Sequence, residues 1–363
     1  MNQKKNKSIL MIGPFPQPIT GMSLANKVLY ESLIKSGHRV KKINTSLYSF
    51  DENVGVFSFR KLIYFLKFNF FLYKILRAKI IYLTPGHTFF GITKYSLFFI
   101  VSSLFNRKLI LHIHSNTLKY KYQKASRWKQ NVMKFLLKKA TDGIVLSPSL
   151  RDNLTPFLPK QRIFTVKNFV EEKFISEERI IKEKQTDKLR IVFLSNLMTQ
   201  KGIFFLIEAL NILNENKINF EARLAGYIDA NIKEKIKMKL SDLSNVNYLG
   251  VVTGIEKKNL LEWGNTFVFP SYLTEGLPIS VLEAIATGNI IISTRHPALL
   301  DFFSEESITY IEKKSSISIA EALTTSLISR KLENKVDIYK YVTYNFTQEK
   351  FTNSIIKIMF VND

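Results

Sequence analysis

At 363 residues the chain is longer than one hydrophobic core usually serves, so two domains are expected. A hydrophobic fraction of 46% excludes a disordered polymer, and the absence of cysteine excludes disulfides and thiolate metal sites. The formal net charge of +23 is unevenly placed: residues 1–180 carry +22 and residues 181–363 only +1, a basic N-terminal unit followed by a balanced C-terminal one. Such a field attracts anionic membranes, nucleic acid or an acidic substrate, and charge alone does not choose among them.

Met1–Lys7 is basic, but the apolar run Ile9–Pro14 is too short for a secretion signal, which points to a cytoplasmic protein. "SILMIGPF" reads as a buried strand ending at Gly13-Pro14. A loop to Gly21 follows, then a helical pattern through Leu24, Val28, Leu29, Leu33 and Ile34 that Gly37 stops, and then the strand "RVKKINT". Phe57–Leu83 combines Phe, Tyr and Leu with a Lys or Arg every few residues. That pattern suits either an amphipathic helix lying in an anionic membrane interface or a core helix with lysines on its wet face. No run reaches the apolar length a spanning helix needs. Strand-like runs at Lys79–Leu83, Lys108–His112 and Gly143–Leu146, with helical segments between, predict a parallel sheet covered on both faces.

Glu171–Lys188 is charge-dense with little apolar periodicity and reads as a linker or a mobile surface segment. The alternation then restarts: strand "LRIVFLS", helix from Gly202 to Leu213, strand "FEARLAG", helix from Lys233 to Leu243, and strands "VNYLG", "TFVFPS" and "NIIIST". The predicted division is therefore a domain over 1–170, a linker over 171–188 and a second domain over 189–340. Residues 341–363 are expected to form a C-terminal helix returning to the first domain. Two Rossmann-like α/β halves imply a ligand cleft between them.

The chemistry is concentrated in "SYLTEGLPISVLEA", Ser271–Ala284. The strand "TFVFPS" precedes it, and Val281, Leu282, Ile285 and Ala286 form a helical apolar stripe that ends near Gly288. Pro278 suits the first helical turn, so Glu275-Gly276-Leu277 stands at a helix N-terminus. Outward N–H groups and the helix dipole make such a place an anion site. Glu275 and Glu283 can flank it, and carboxylates suit vicinal hydroxyls. An anion between hydroxyls describes a sugar nucleotide; a dipole-favoured Glu plus a solvated helix Glu explains the spacing equally well.

The fuller stretch "SYLTEGLPISVLEAIATGNIIIST" resembles the E-x7-E signature of glycosyltransferase family 4, retaining enzymes of the two-domain GT-B fold. "FLSNLMTQKGIFFLIEAL" is similar to that family's strand, basic loop and Lys-Gly helix start. "ILMIGPFPQPITGMS" with "SGHRV" is similar to its N-terminal glycine loop, and "LHIHSN" to its histidine loop. These matches are in family order and cover most of the chain. The resemblance implies two Rossmann-like domains with parallel sheets facing a central cleft, the first binding an acceptor and the second a nucleotide sugar. It assigns Glu283 to the donor ribose, Glu275 to the transferred sugar's hydroxyls, and Lys201 to the diphosphate, with the backbone of Gly276, Leu277, Pro278 and Ile279 close to sugar or diphosphate. His114 matches the histidine near the reacting sugar, with His112 the alternate, and Gly21 would let the first loop approach the ligand.

The chain departs from the pattern at Asn196, where the family usually carries Arg, at Gly21-Met22 in place of a glycine pair, and at Ser115 in the histidine loop. "TRHPALLDFF" replaces a glycine-rich segment, and Arg295 could restore part of the lost positive charge. No Asp-x-Asp and no metal-site spacing occur in the sequence, so no metal and no cofactor are expected. The expected partners are a UDP- or GDP-linked sugar, a lipid-linked saccharide acceptor and an anionic membrane surface, with no nucleic acid. The expected activity is hexosyl transfer in cell-surface polysaccharide synthesis, such as capsule or O-antigen, by a peripheral protein on the inner face of the plasma membrane. A nucleic-acid-binding protein using the basic half and an inactive carbohydrate-binding paralogue are the alternatives.

Overall fold

A computed structural model describes residues 8–46, 68–184, 188–326 and 334–360. The chain divides into two compact units, one of residues 1–168 and 349–363, the other of residues 169–348. Each is a parallel six-stranded α/β sheet.

The first unit begins with β1 (Ser8–Gly13), α1 (Gly21–Lys35) and β2 (Arg39–Asn44). It continues through α2 (Tyr73–Arg77), β3 (Ile80–Leu83), α3 (Phe89–Thr93), α4 (Ser96–Leu104) and β4 (Lys108–Ile113). α5 (Leu118–Lys124), α6 (Arg127–Leu137), β5 (Asp142–Val145) and β6 (Ile163–Thr165) follow. Strand order is β2-β1-β3-β4-β5-β6. Ile9 pairs with Ile80 and Ile81 with Leu109, and these central strands are buried on both faces, which is why they read as unbroken apolar runs. α1 starts behind a reciprocal cap in which Ser23 N–H donates to Thr20 Oγ1 and Thr20 N–H to Ser23 Oγ.

The expectation of one amphipathic helix over Phe57–Leu83 fails in its C-terminal part; residues 57–67 lie outside the described residues. From Asn69 onward the chain makes a short 3-10 turn, the five-residue α2 and then β3. Ile80–Leu83 carries no charge and pairs on both sides, with β1 and β4, so sheet burial takes those residues away from any helix. No helix among the described residues is long and apolar enough to cross a membrane.

The second unit contains α7 (Glu178–Glu183), β7 (Leu189–Leu194), α8 (Ile203–Glu215), β8 (Phe220–Ala225), α9 (Lys233–Ser241) and β9 (Val246–Tyr248). Next come α10 (Gly254–Trp263), β10 (Thr266–Phe269), α11 (Ile279–Ala286), β11 (Ile290–Thr294) and α12 (Pro297–Leu300). β12 (Ile308–Ile311), α13 (Ser316–Ser326) and α14 (Lys335–Asn345) complete it. Strand order is β12-β11-β10-β7-β8-β9, so the direction of winding reverses between β7 and β10. Ligands of doubly wound sheets bind outside the carboxyl ends of the strands at such a reversal.

The segment read as a linker is part of this second unit. Phe174 and Ile181 are fully buried, Ser176 N–H donates to Ala286 O, and Lys184 Nζ donates to Leu261 O at 3.1 Å and Thr287 O at 2.6 Å. The C-terminal stretch splits differently from the expected 341–363 helix. α14 stays with the second unit, and α15 (Gln348–Phe360) runs almost entirely within the first. α15 buries Phe351, Ile355, Ile358 and Met359, stacks Phe360 on His38 at 4.8 Å, and its Ile358 carbonyl accepts a hydrogen bond from Lys108 Nζ.

Candidate active site

The loops that leave β7 and β10 at the winding reversal meet. Gly202 adopts φ +81°, and a Cβ there would stand 2.3 Å from Pro270 O, so only glycine lets the first loop lie against the second. Tyr272 N–H and Leu273 N–H both donate to Gln200 O. This docking delivers Lys201 to Glu275, with Nζ 2.6 Å from Oε1, and Ser271 Oγ donates to the same oxygen at 2.8 Å. Both charged side chains are more than four-fifths buried, and the Phe269 ring lies 5.6 Å from the ammonium. Two residues given separate ligand roles by the sequence are therefore paired with one another.

Ser271 is itself held by the next strand. Thr294 Oγ1 donates to Ser271 O at 2.5 Å, so its lone pairs are left to accept from His296 Nε2–H at 2.8 Å. His296 is 1% exposed, and burial pushes its pKa down to about 4, with the Glu275 charge opposing and Lys313 and Lys201 reinforcing. A neutral imidazole results at pH 7. Arg295, offered as replacement charge, pairs with Glu305 instead. Asn196 is exposed on the β7 loop, and its carbonyl accepts from Met198 N–H.

Pro278 is the N-cap of α11, one position before the first turn where the sequence put it, and no side chain caps this helix. Gly276, Leu277, Pro278 and Ile279 thus form the entry to α11, with Leu277 and Ile279 buried. Glu283, one turn in, is fully buried, so it is not a solvated helix residue. Lys257 of α10 places Nζ 2.7 Å from its Oε1 and 2.5 Å from its Oε2. The same ammonium stands 4.5 Å from the Phe174 ring centroid. Burial raises the carboxyl pKa while Lys257 opposes.

In the first unit His112 and His114 leave the end of β4 on one face, rings 4.0 Å apart. The structure separates them. His112 is fully buried and its Nδ1 is hydrogen-bonded to the Tyr82 hydroxyl, whereas His114 lies beyond the strand and is half-buried. Burial lowers both, His114 to about 3, so both are neutral at pH 7. Gly21 is the first residue of α1 rather than a loop residue, and it is exposed. Sequence reasoning missed Lys257, Thr294 and His296. His296 left a faint signal as one of five histidines two residues from a strand-end Thr; Lys257, on another helix, left none.

Residues 174–343 match the family model described as "Glycosyl transferases group 1". The amylovoran biosynthesis glycosyltransferase AmsK of Erwinia amylovora is 27% identical over 160 residues, 42% of this chain and 38% of that protein. The teichuronic acid biosynthesis glycosyltransferase TuaC of Bacillus subtilis, itself putative by name, is 30% identical over 138 residues, 38% of this chain and 33% of that protein. The chain thus matches well under half the length of these relatives. A solved structure of Anabaena HepE with UDP-glucose superposes with a TM-score of 0.72 at 14% identity, covering 97% of this chain and 98% of that one. Two doubly wound parallel sheets in this order are the GT-B fold, and the match to the glycosyltransferase group 1 model lies within the second unit.

Proposed function

We propose that the protein is a retaining, metal-independent glycosyltransferase that moves a hexose from a UDP- or GDP-linked donor to a lipid-linked saccharide in cell-surface polysaccharide assembly, working at a membrane surface. The observation that carries this reading is the Lys201–Glu275 pair, set beside the uncapped N-terminus of α11 at the winding reversal. An ammonium and a helix N-terminus together stabilise the charge that develops on a departing diphosphate. Glu275, steadied by Ser271, is an acceptor for hydroxyls of the transferred sugar and holds it in register with the leaving group. Glu283 accepts from the ribose hydroxyls, for which the Lys257 ammonium must share or yield the carboxylate.

The relatives support the pathway class through what their names state, amylovoran and teichuronic acid synthesis, and HepE supports a UDP-sugar through its bound ligand. The test is release of nucleoside diphosphate from a panel of sugar nucleotides by the wild type and by Glu283→Ala. Turnover with one donor, lost on substitution, is expected; absence of both turnover and nucleotide binding would sink the reading. Lys201→Ala is expected to lower kcat by about 10²- to 10³-fold, the usual effect of removing one electrostatic group from a reacting site.

A further inference from the structure

The helices α2, α4 and α6 follow β2, β3 and β4, crossovers that all run in one direction along the sheet. Right-handed connection therefore puts them on one face. α2 packs against α4, α4 against α6, and α6 against α3, so they form a continuous layer. A surface helix ordinarily turns a polar side outward. α4 does not. It buries Phe98, Phe99 and Ser102, yet its outer side carries Leu97, half-buried Ile100 and Val101, and Leu104, which is 73% exposed. No charged residue occurs from Tyr95 to Asn106.

Its neighbours extend this surface. On one side Phe70 is 80% exposed, with Tyr73 and Leu76 of α2 beside it; on the other Trp128 and Phe135 of α6 are 59% and 56% exposed. Cations sit among the rings: Lys139 Nζ is 4.3 Å from the Phe135 centroid, Lys129 Nζ 5.4 Å from Trp128, and Lys74 Nζ 4.3 Å from Phe71. The surrounding sequence carries one sign only. From Asn53 to Thr141 there are 17 Lys and Arg and not one Asp or Glu.

We infer that the outer face of α2, α4 and α6 docks on an anionic lipid bilayer, with Leu97, Leu104, Trp128 and Phe135 entering the acyl boundary and the lysines lying at the headgroups. Apolar side chains alone would suit a protein partner; a 53–141 stretch with lysines and arginines and no carboxylate suits anionic headgroups, and aromatic rings flanked by lysines match the interface where acyl chain gives way to water. This specifies the membrane surface included in the proposed function and extends it from the 57–83 stretch, which contains α2, to α4 and α6. Docking needs neither donor nor turnover, so it is tested separately from the transferase reading.

The chain has two tryptophans, and Trp263 lies in the second unit under the Arg223 guanidinium at 3.9 Å. Trp263→Phe leaves Trp128 as sole reporter. Its emission is expected to shift to the blue with vesicles containing phosphatidylglycerol, to be quenched by brominated acyl chains, and to respond much less to phosphatidylcholine alone or at high salt. Adding Leu104→Ser and Phe135→Ser should weaken vesicle partition by about tenfold or more with melting temperature unchanged. The brominated-lipid measurement stands without these substitutions should they disturb folding. Failure to bind anionic vesicles, equal binding to neutral ones, a stable dimer that shields Trp128 from acrylamide, or salt-sensitive RNA binding without vesicle binding would each overturn the inference. Vesicle binding with neither nucleoside diphosphate release nor nucleotide binding would leave it standing and remove the transferase reading.

Discussion

Glu283 and His296 carry the sharpest residue-scale consequences. A fully buried carboxylate facing Lys257, with Lys173 and Glu171 acting from further off, depends on that ammonium for its charge. Lys257→Met removes the main opposing charge, so the carboxyl pKa rises further. Nucleotide affinity that needs the ionised acceptor is then lost, as pH falls, at a higher pH than in the wild type, while Lys257→Arg retains much of the wild-type profile. Isothermal titration with nucleoside diphosphate across pH reads this directly; superimposable profiles for wild type and Lys257→Met would refute it. The substitution should also cost about 3 kcal/mol or more at neutral pH, since one partner of a buried pair is left alone.

His296 links pH to folding rather than to binding. Its pKa of about 4 lies below the ordinary 6.5, so between those values the unfolded chain binds a proton that the native protein excludes. Stability contributed by this residue is full above pH 6.5 and falls as pH drops toward 4, by about 2 kcal/mol at pH 5. Urea unfolding at pH 7 and pH 5 should show that loss, and His296→Gln should reduce it. The identity of His296 was visible in the sequence, but its role was not, because Thr294 and Ser271 come from different strand ends that only β10–β11 pairing brings together.

At the scale of elements, the β7–α8 loop works only because Gly202 accepts a left-handed backbone against Pro270. Gly202→Ala adds both a strained φ and a contact of 2.3 Å with a carbonyl oxygen. We expect a stability loss of about 2 kcal/mol or more together with a rise in donor KM, as Lys201 leaves Glu275; unchanged melting and kinetics would contradict this. The Lys-Gly pair was legible as a helix start, and the strands β1, β10 and β11 were legible as charge-free apolar runs. The charge-dense 171–188 segment was misread because burial there rests on Phe174, Ile181 and the Lys184 stem, too few apolar positions to make a period. Lys184, its pKa pushed down to about 7 by burial, ties the carbonyl ends of α10 and α11, an interaction that no local pattern announces.

For the whole molecule, α15 makes the first unit discontinuous in sequence. Truncation after Phe346 removes four buried apolar side chains from the first unit and none of the strands. Each such loss costs roughly 2–5 kcal/mol when complete, so the truncated protein should lose the first unit's cooperative unfolding while keeping the second unit's secondary structure; melting followed by circular dichroism and limited proteolysis distinguishes the two.

The sequence by itself determined the α/β class, the restart of the strand–helix alternation near residue 189, the charge asymmetry, and the two glutamates around a helix start, because each depends on residues near one another in the chain. Only the tertiary structure decided what those glutamates face. Lys257 reaches Glu283 across 26 residues and Lys201 reaches Glu275 across 74, distances that sheet order closes and periodicity does not record. The structure likewise showed that α4 is apolar on its outer side, since which side of a helix is outer is set by the sheet beneath it.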